Sequence, residues 1–82
     1  MRTGWRIVDW NNTLLFVDRK CVGSIYQHTK TKMWHTHHLK WVRENLNPRD
    51  TPCKTEEGAK RRIEHYVRIW LVAGKPEPNP YA

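Results

Sequence analysis

The apolar positions of this chain change period once. Before residue 55 they fall in short runs rich in β-branched and aromatic residues, separated by polar turn signals. From Thr55 to Ala73, TEEGAKRRIEHYVRIWLVA, they follow the 3.6-residue period of an amphipathic helix: Ala59, Ile63, Tyr66, Val67 and Trp70 share one stripe. Thr55 is a suitable N-cap, because its hydroxyl can accept from an orphan N–H of the first turn. Glu56 and Glu57 sit where the helix dipole favours negative charge. Gly74 follows the last periodic residue, where a left-handed cap wants glycine.

The earlier runs predict strands. WRIVDW (Trp5 to Trp10) alternates, with Trp5 and Ile7 on one face and Arg6 and Val8 on the other. Asn11-Asn12 marks a turn, and TLLFV (Thr13 to Val17) returns. After Asp18-Arg19-Lys20, CVGSIYQH (Cys21 to His28) is a third strand, whose Gly23 signals a bulge or a close backbone approach. Thr29 to Lys32 is a polar turn, and MWHTHH (Met33 to His38) a short fourth strand. Leu39 to Leu46 fits a short helix or a strand extension. Pro48 and Pro52 make Asn47 to Lys54 a loop. The expected fold class is α+β: a three- to four-stranded antiparallel β-meander packed against one C-terminal α-helix. Residues 1–74 form the domain, and residues 75–82, KPEPNPYA, a flexible Pro-rich tail.

Composition narrows the class. With 82 residues the chain is one domain, and folding buries only roughly 60–65 % of its extended surface, so stability is modest. Hydrophobic content is 38 % and mean hydropathy −0.89. Five Trp, three Tyr and one Phe still supply enough apolar area for one small core. No apolar run approaches the length of a membrane span, and no signal peptide is evident. Two cysteines, Cys21 and Cys53, make no disulfide framework; a cytoplasmic, reduced setting with both as small buried hydrophobes is expected. The net charge of +7, from 15 Lys and Arg against 8 Asp and Glu, favours polyanions or acidic protein surfaces as partners.

Four constellations could carry chemistry. His28, His35, His37 and His38 crowd two adjacent strands, and imidazoles so placed can ligate zinc or copper; exposed strand histidines without a ligand are the ordinary alternative. No recognised zinc spacing is present, so no metal and no cofactor is expected. The order His37-His38, Asn45-Leu46, Cys53-Lys54-Thr55 resembles HNH endonucleases, in which His38 would be the general base; the gap from His38 to Asn45 is short and the only later histidine, His65, falls well inside the long helix, so no catalytic residue is assigned. Basic residues interleave with aromatics along the sheet: Arg6, Trp10, Arg19, Lys20, Tyr26, His28, Lys30, Lys32 and Trp34. Cations there can hold phosphates while aromatics stack on bases. About half of the tryptophans, Trp5, Trp34 and Trp41 foremost, are also claimed by the core. Lastly, Ile69 and Val72 lie off the helix stripe and suit a partner or a second copy, unless the tail folds back over them. On the helix's polar face Lys60–Glu64 and Glu64–Arg68 are spaced as supporting ion pairs.

The order strand–strand–strand–helix, with Thr55-Glu56-Glu57-Gly58-Ala59-Lys60 opening the helix, is similar to AP2-like and integrase arm-type DNA-binding domains. It also resembles small phage and prophage proteins that pair a Trp-rich meander with an EEAKRRIE-type helix. The DNA-binding resemblance implies a sheet that enters a groove, a helix that braces it, and contacts from Arg6, Arg19, Lys20, Lys30 and Lys32. The first expectation is therefore a small, basic, non-enzymatic nucleic-acid-binding module using Arg6, Arg19, Lys20, Lys30, Lys32 and Trp34, with DNA ahead of RNA. The alternative is a phage-encoded protein–protein module that docks on an acidic host protein, or a homodimer, through Ile69 and Val72. A metal-dependent HNH-like nuclease ranks third, and no membrane partner is expected.

Overall fold

Four antiparallel strands in the order β1-β2-β3-β4 form one open sheet, and a long helix crosses one of its faces. The computed structural model describes residues 2–77. The elements are β1 (Thr3–Asp9), β2 (Asn12–Val17), β3 (Lys20–Gln27), β4 (Trp34–His38), α1 (Lys40–Asn45) and α2 (Glu56–Val72). The meander and the C-terminal helix match the expected class, with all four strands present. Leu39 to Leu46, left open between helix and strand, is the short helix α1.

The helix forms for the local reasons its residues suggest. Thr55 accepts a hydrogen bond from the Gly58 N–H (3.0 Å), and both first-turn glutamates are in place. At the other end Gly74 takes φ +90°, and the Gly74 and Lys75 N–H groups donate to the Leu71 and Trp70 carbonyls, each at 3.0 Å. That pair of bonds is a Schellman cap, which satisfies carbonyls the helix would otherwise leave orphaned. The expected ion pairs do not form. Lys60 instead binds Glu56 (3.2 Å), because Glu64 turns to the sheet and accepts from the Trp5 indole N–H (3.3 Å).

One core lies between α2 and the sheet. Ala59, Ile63, Val67 and Trp70 bury themselves against Leu15, Val17, Val22 and Ile25, with Val42 of α1 and Cys53 at the margin. Full burial of a side chain such as Ile63 or Leu15 contributes about 1.5–3 kcal/mol relative to exposure. Trp5, Trp34 and Trp41 pack around this core, as their share of the apolar area requires. Cys21, by contrast, is exposed while Cys53 is buried, so only one cysteine is the small hydrophobe expected of both.

A bulge in β3 sets the fit. Leu15 pairs with Gly23 but Phe16 pairs with Cys21, so Val22 is the extra residue and both Val22 and Gly23 are buried. A Cβ on Gly23 would stand 2.6 Å from Ile63 Cγ2. Glycine therefore serves both roles anticipated for it, at a bulge and at a close approach of helix to strand.

The chain after the helix docks rather than departing at once. The Trp70 indole donates to the Pro76 carbonyl (2.9 Å), Lys20 pairs with Glu77 (2.8 Å), and Lys75 lies 3.7 Å from Asp18. This return covers Trp70 and leaves Val72 85 % exposed. The tail expected from residue 75 thus begins as part of the fold, and its residues 78–82 lie outside the described residues.

Candidate nucleic-acid interface

Residues paired across antiparallel strands share a face. Thr13, Leu15 and Val17 are buried, so their partners Ile7, Trp5, Thr3, Ile25, Gly23 and Lys20 belong to the helix side. The other face carries Gly4, Arg6, Leu14, Phe16, Cys21, Ser24, Tyr26, His35 and His37. Neither helix covers it: α2 lies on the opposite face and α1 sends Val42 into the same core.

This open face has two distinct ends. At one end Arg2, Arg6 and Arg19 surround Phe16 and Asp18 in a cleft of about 540 Å³. The Arg6 guanidinium lies over the Phe16 ring, 4.8 Å from its centroid, a cation–π contact that holds the charge against the sheet. Asp18 adopts φ 56° in the turn. Its carboxylate accepts from the Arg2 backbone N–H (2.9 Å), and that bond, before the Lys75 charge, holds its pKa below the usual carboxylate range.

At the other end aromatic surface replaces guanidinium. Tyr26 and His35, paired across β3 and β4, stack at 5.1 Å with 14° between their planes. His28 leans on His35 at 6.1 Å. The His28 Nδ1 accepts from the Lys30 and Thr31 N–H groups (3.2 and 3.4 Å), which leaves the ring proton on Nε2. Lys30 and Lys32 stand exposed on the intervening turn, closed by Lys32 N–H to the His28 carbonyl (2.9 Å). Trp10, 79 % exposed, caps the neighbouring hairpin at the same end.

Of the residues singled out in the sequence, Arg6 and Arg19 come together with Arg2, and Lys30 and Lys32 stand at the far end. Lys20 and Trp34 belong elsewhere. Lys20 follows the helix side, 5.5 Å from the Trp70 ring centroid and paired with Glu77. Trp34 packs against the core and exchanges backbone hydrogen bonds with Cys53 (2.8 and 2.7 Å), which lays the 51–54 segment along β4. The Tyr26–His35 stack and Arg2 were the contributions that sequence reading did not bring together. Pairing across β3–β4 makes the first, and the Arg2–Asp18 hydrogen bonds make the second.

The histidine group divides by strand parity. His35 and His37 face outward, whereas His38 is 7 % exposed on the helix side, edge-on to Tyr66 at 5.2 Å. Burial first, then the positive charges of Arg62, His37 and Arg43, lowers its pKa from 6.5 to about 4. Among the described residues no group of three His, Cys, Asp or Glu side chains could hold a metal ion. The residues of the HNH-like order likewise stand apart, with Asn45 ending α1 and Cys53 bridged to Trp34.

No helix of the described residues is long and apolar enough to cross a membrane. No family model matches the chain, and no curated protein or solved structure matches it.

Proposed function

We propose that the chain is a small, non-enzymatic nucleic-acid-binding module of cytoplasmic setting, which engages its ligand with the open face of the sheet. The observation that carries this reading is the uncovered face itself, with a stacked Tyr26–His35 pair between an arginine cluster at one end and Lys30 and Lys32 at the other. Guanidinium and ammonium groups bind phosphates and orient the strand, while the aromatic pair offers a π-surface to a base. DNA ranks ahead of RNA, on the likeness of a helix-braced sheet to AP2-like domains. Lys20 and Trp34 contribute to the fold of this face from behind it rather than to contact.

The test is a salt titration of binding to single- and double-stranded DNA and RNA. A linear fall of log K with log salt is expected, and Arg6→Gln or Arg19→Gln should each flatten the slope by about one unit. Tyr26→Ala should weaken binding by about 1–3 kcal/mol if a base stacks there. No binding at low salt, or binding indifferent to all three substitutions, would refute the reading.

A second reading, a docking module for an acidic host protein such as a phage-encoded inhibitor or adaptor, or a homodimer, draws on exposed apolar surface. Val72 is 85 % and Ile69 37 % exposed on α2, and Ile7, Val8 and Trp10 are exposed along the β1 hairpin. A stoichiometric protein recovered after nuclease treatment, and lost in Ile69→Asp, Val72→Asp protein, would favour it. Sedimentation as a monomer at all concentrations would remove the homodimer.

A further inference from the structure

The open face is more than a patch of positive charge. Its floor, between the arginine end and the Lys30–Lys32 turn, is Leu14, Phe16, Tyr26 and His35. Tyr26 is 38 % exposed, and its ring lies within 14° of the plane of His35, 5.1 Å away. A platform built in advance loses little freedom when a further ring joins it. Asp9 is the one acidic residue in the four strands, and its carboxylate accepts from the Asn11 N–H and the Asn12 amide (3.1 and 3.0 Å). An anionic chain laid along the strands therefore meets little repulsion.

Spacing and width decide which form of nucleic acid fits. Asn12 pairs with Tyr26 and lies four positions before Phe16 on β2, so about 13 Å separates the guanidinium end from the stacked rings. Phosphates can be held at the two ends while bases lie on the floor between them. A duplex groove does not suit this surface. The sheet has four strands, which at about 4.8 Å apart span about 14 Å between the outermost backbones. The 51–54 segment, bridged to Trp34, adds to that width beyond β4. A major groove is about 12 Å wide and admits a two-stranded ribbon. Laid on a duplex, this face would rest on the phosphate ridges with its apolar floor held away from the bases. Paired bases in any case turn their edges to a groove, and aromatic rings stack on faces.

We infer that the open face takes single-stranded nucleic acid in preference to duplex. An unpaired base stacks against the Tyr26–His35 pair, and the flanking phosphates lie on Arg6 and Arg19 at one end and on Lys30 and Lys32 at the other. This rests on the reading of that face as a nucleic-acid interface, and it departs from the groove insertion that the AP2-like resemblance implies. Cations supply affinity for either form, because both carry phosphates. The aromatic floor supplies the discrimination, because only the single strand offers it a base face.

The test is fluorescence anisotropy with the full chain and a labelled DNA of about 12 nucleotides, within the site sizes of single-strand modules. It is presented as the single strand, annealed to its complement, and as an abasic strand with the same phosphates. At equal salt the single strand should bind roughly tenfold or more tightly than the duplex. Tyr26→Ala should weaken single-strand binding about 5- to 150-fold, the worth of one stacked base. With the unaltered protein the abasic strand should lose a similar factor. Combining it with Tyr26→Ala should cost little more, because both remove the same contact. Arg6→Gln should weaken all three probes alike, as the loss of a phosphate contact does. A duplex bound as tightly as the single strand, or an abasic strand bound as tightly as the intact one, would overturn the inference and leave the nucleic-acid reading standing. No binding to any probe at low salt would overturn both.

Discussion

His38 makes the stability of this domain depend on pH in a defined window. Its imidazole is neutral in the fold, with a pKa lowered from 6.5 to about 4 by burial first and by Arg62, His37 and Arg43 after it. Below pH 6.5 the unfolded chain takes up a proton at this position while the folded chain does not. The unfolded state then binds more protons, so stability rises with pH across the interval. Above pH 6.5 the stabilisation is whole; as pH falls it drains away, and it is gone below about 4. Each pKa unit corresponds to about 1.4 kcal/mol, so the full swing is about 3 kcal/mol. For a small domain holding about 5 kcal/mol in all, that is a large share.

The perturbation is His38→Phe, which keeps a ring against Tyr66 and removes both the titration and the unmatched Nε2. Urea unfolding followed by tryptophan fluorescence, in phosphate-free buffers from pH 4 to 8, measures it. Wild type should lose about 3 kcal/mol from the top of the range to the bottom, and His38→Phe should stay nearly level. Asp9 and Asp18 do not confuse the window. Hydrogen bonds from the Asn11 and Arg2 backbone N–H groups hold their pKa values below 3.8, so their stabilisation persists above that pH and is lost only as pH falls further. Parallel profiles for the two proteins would refute the reasoning.

Two other changes test the packing. Gly23→Ala brings a methyl within 2.6 Å of Ile63 Cγ2, and thermal unfolding should reveal a loss of about 1–3 kcal/mol from overpacking; an unchanged melting temperature would mean α2 is not seated on β3 as described. Ending the chain at Gly74 removes the Pro76 carbonyl from the Trp70 indole and Glu77 from Lys20. Chemical denaturation should find about 1 kcal/mol less stability, and no loss would make the docking of residues 75–77 energetically idle.

Much of the candidate interface was legible as residue types but not as an arrangement. Arg6, Arg19, Lys30 and Lys32 were named for charge beside β-rich runs, and they stand on the open face or at its ends. Lys20 differs from Arg19 by one position and goes to the opposite side, because β-strand side chains alternate and the Val17–Lys20 pair closes the turn towards the helix. Trp34 is drawn inward because its strand phase matches that of Thr36 and His38. The same parity separates His37 from His38, which a list of neighbouring histidines cannot do.

By itself the sequence determined the elements whose causes are local. The α2 stripe, the Thr55 cap and the Gly74 cap each depend on residues within a few positions of one another, so their chemistry is readable in order along the chain. Strand existence was likewise local, down to a glycine marking the bulge. Only the tertiary structure decided which sheet face was covered, where the extra residue Val22 shifted the register, and which polar groups were buried without a partner. Those outcomes depend on pairing and packing between segments far apart in sequence, where a shift of one residue exchanges the two faces of a strand.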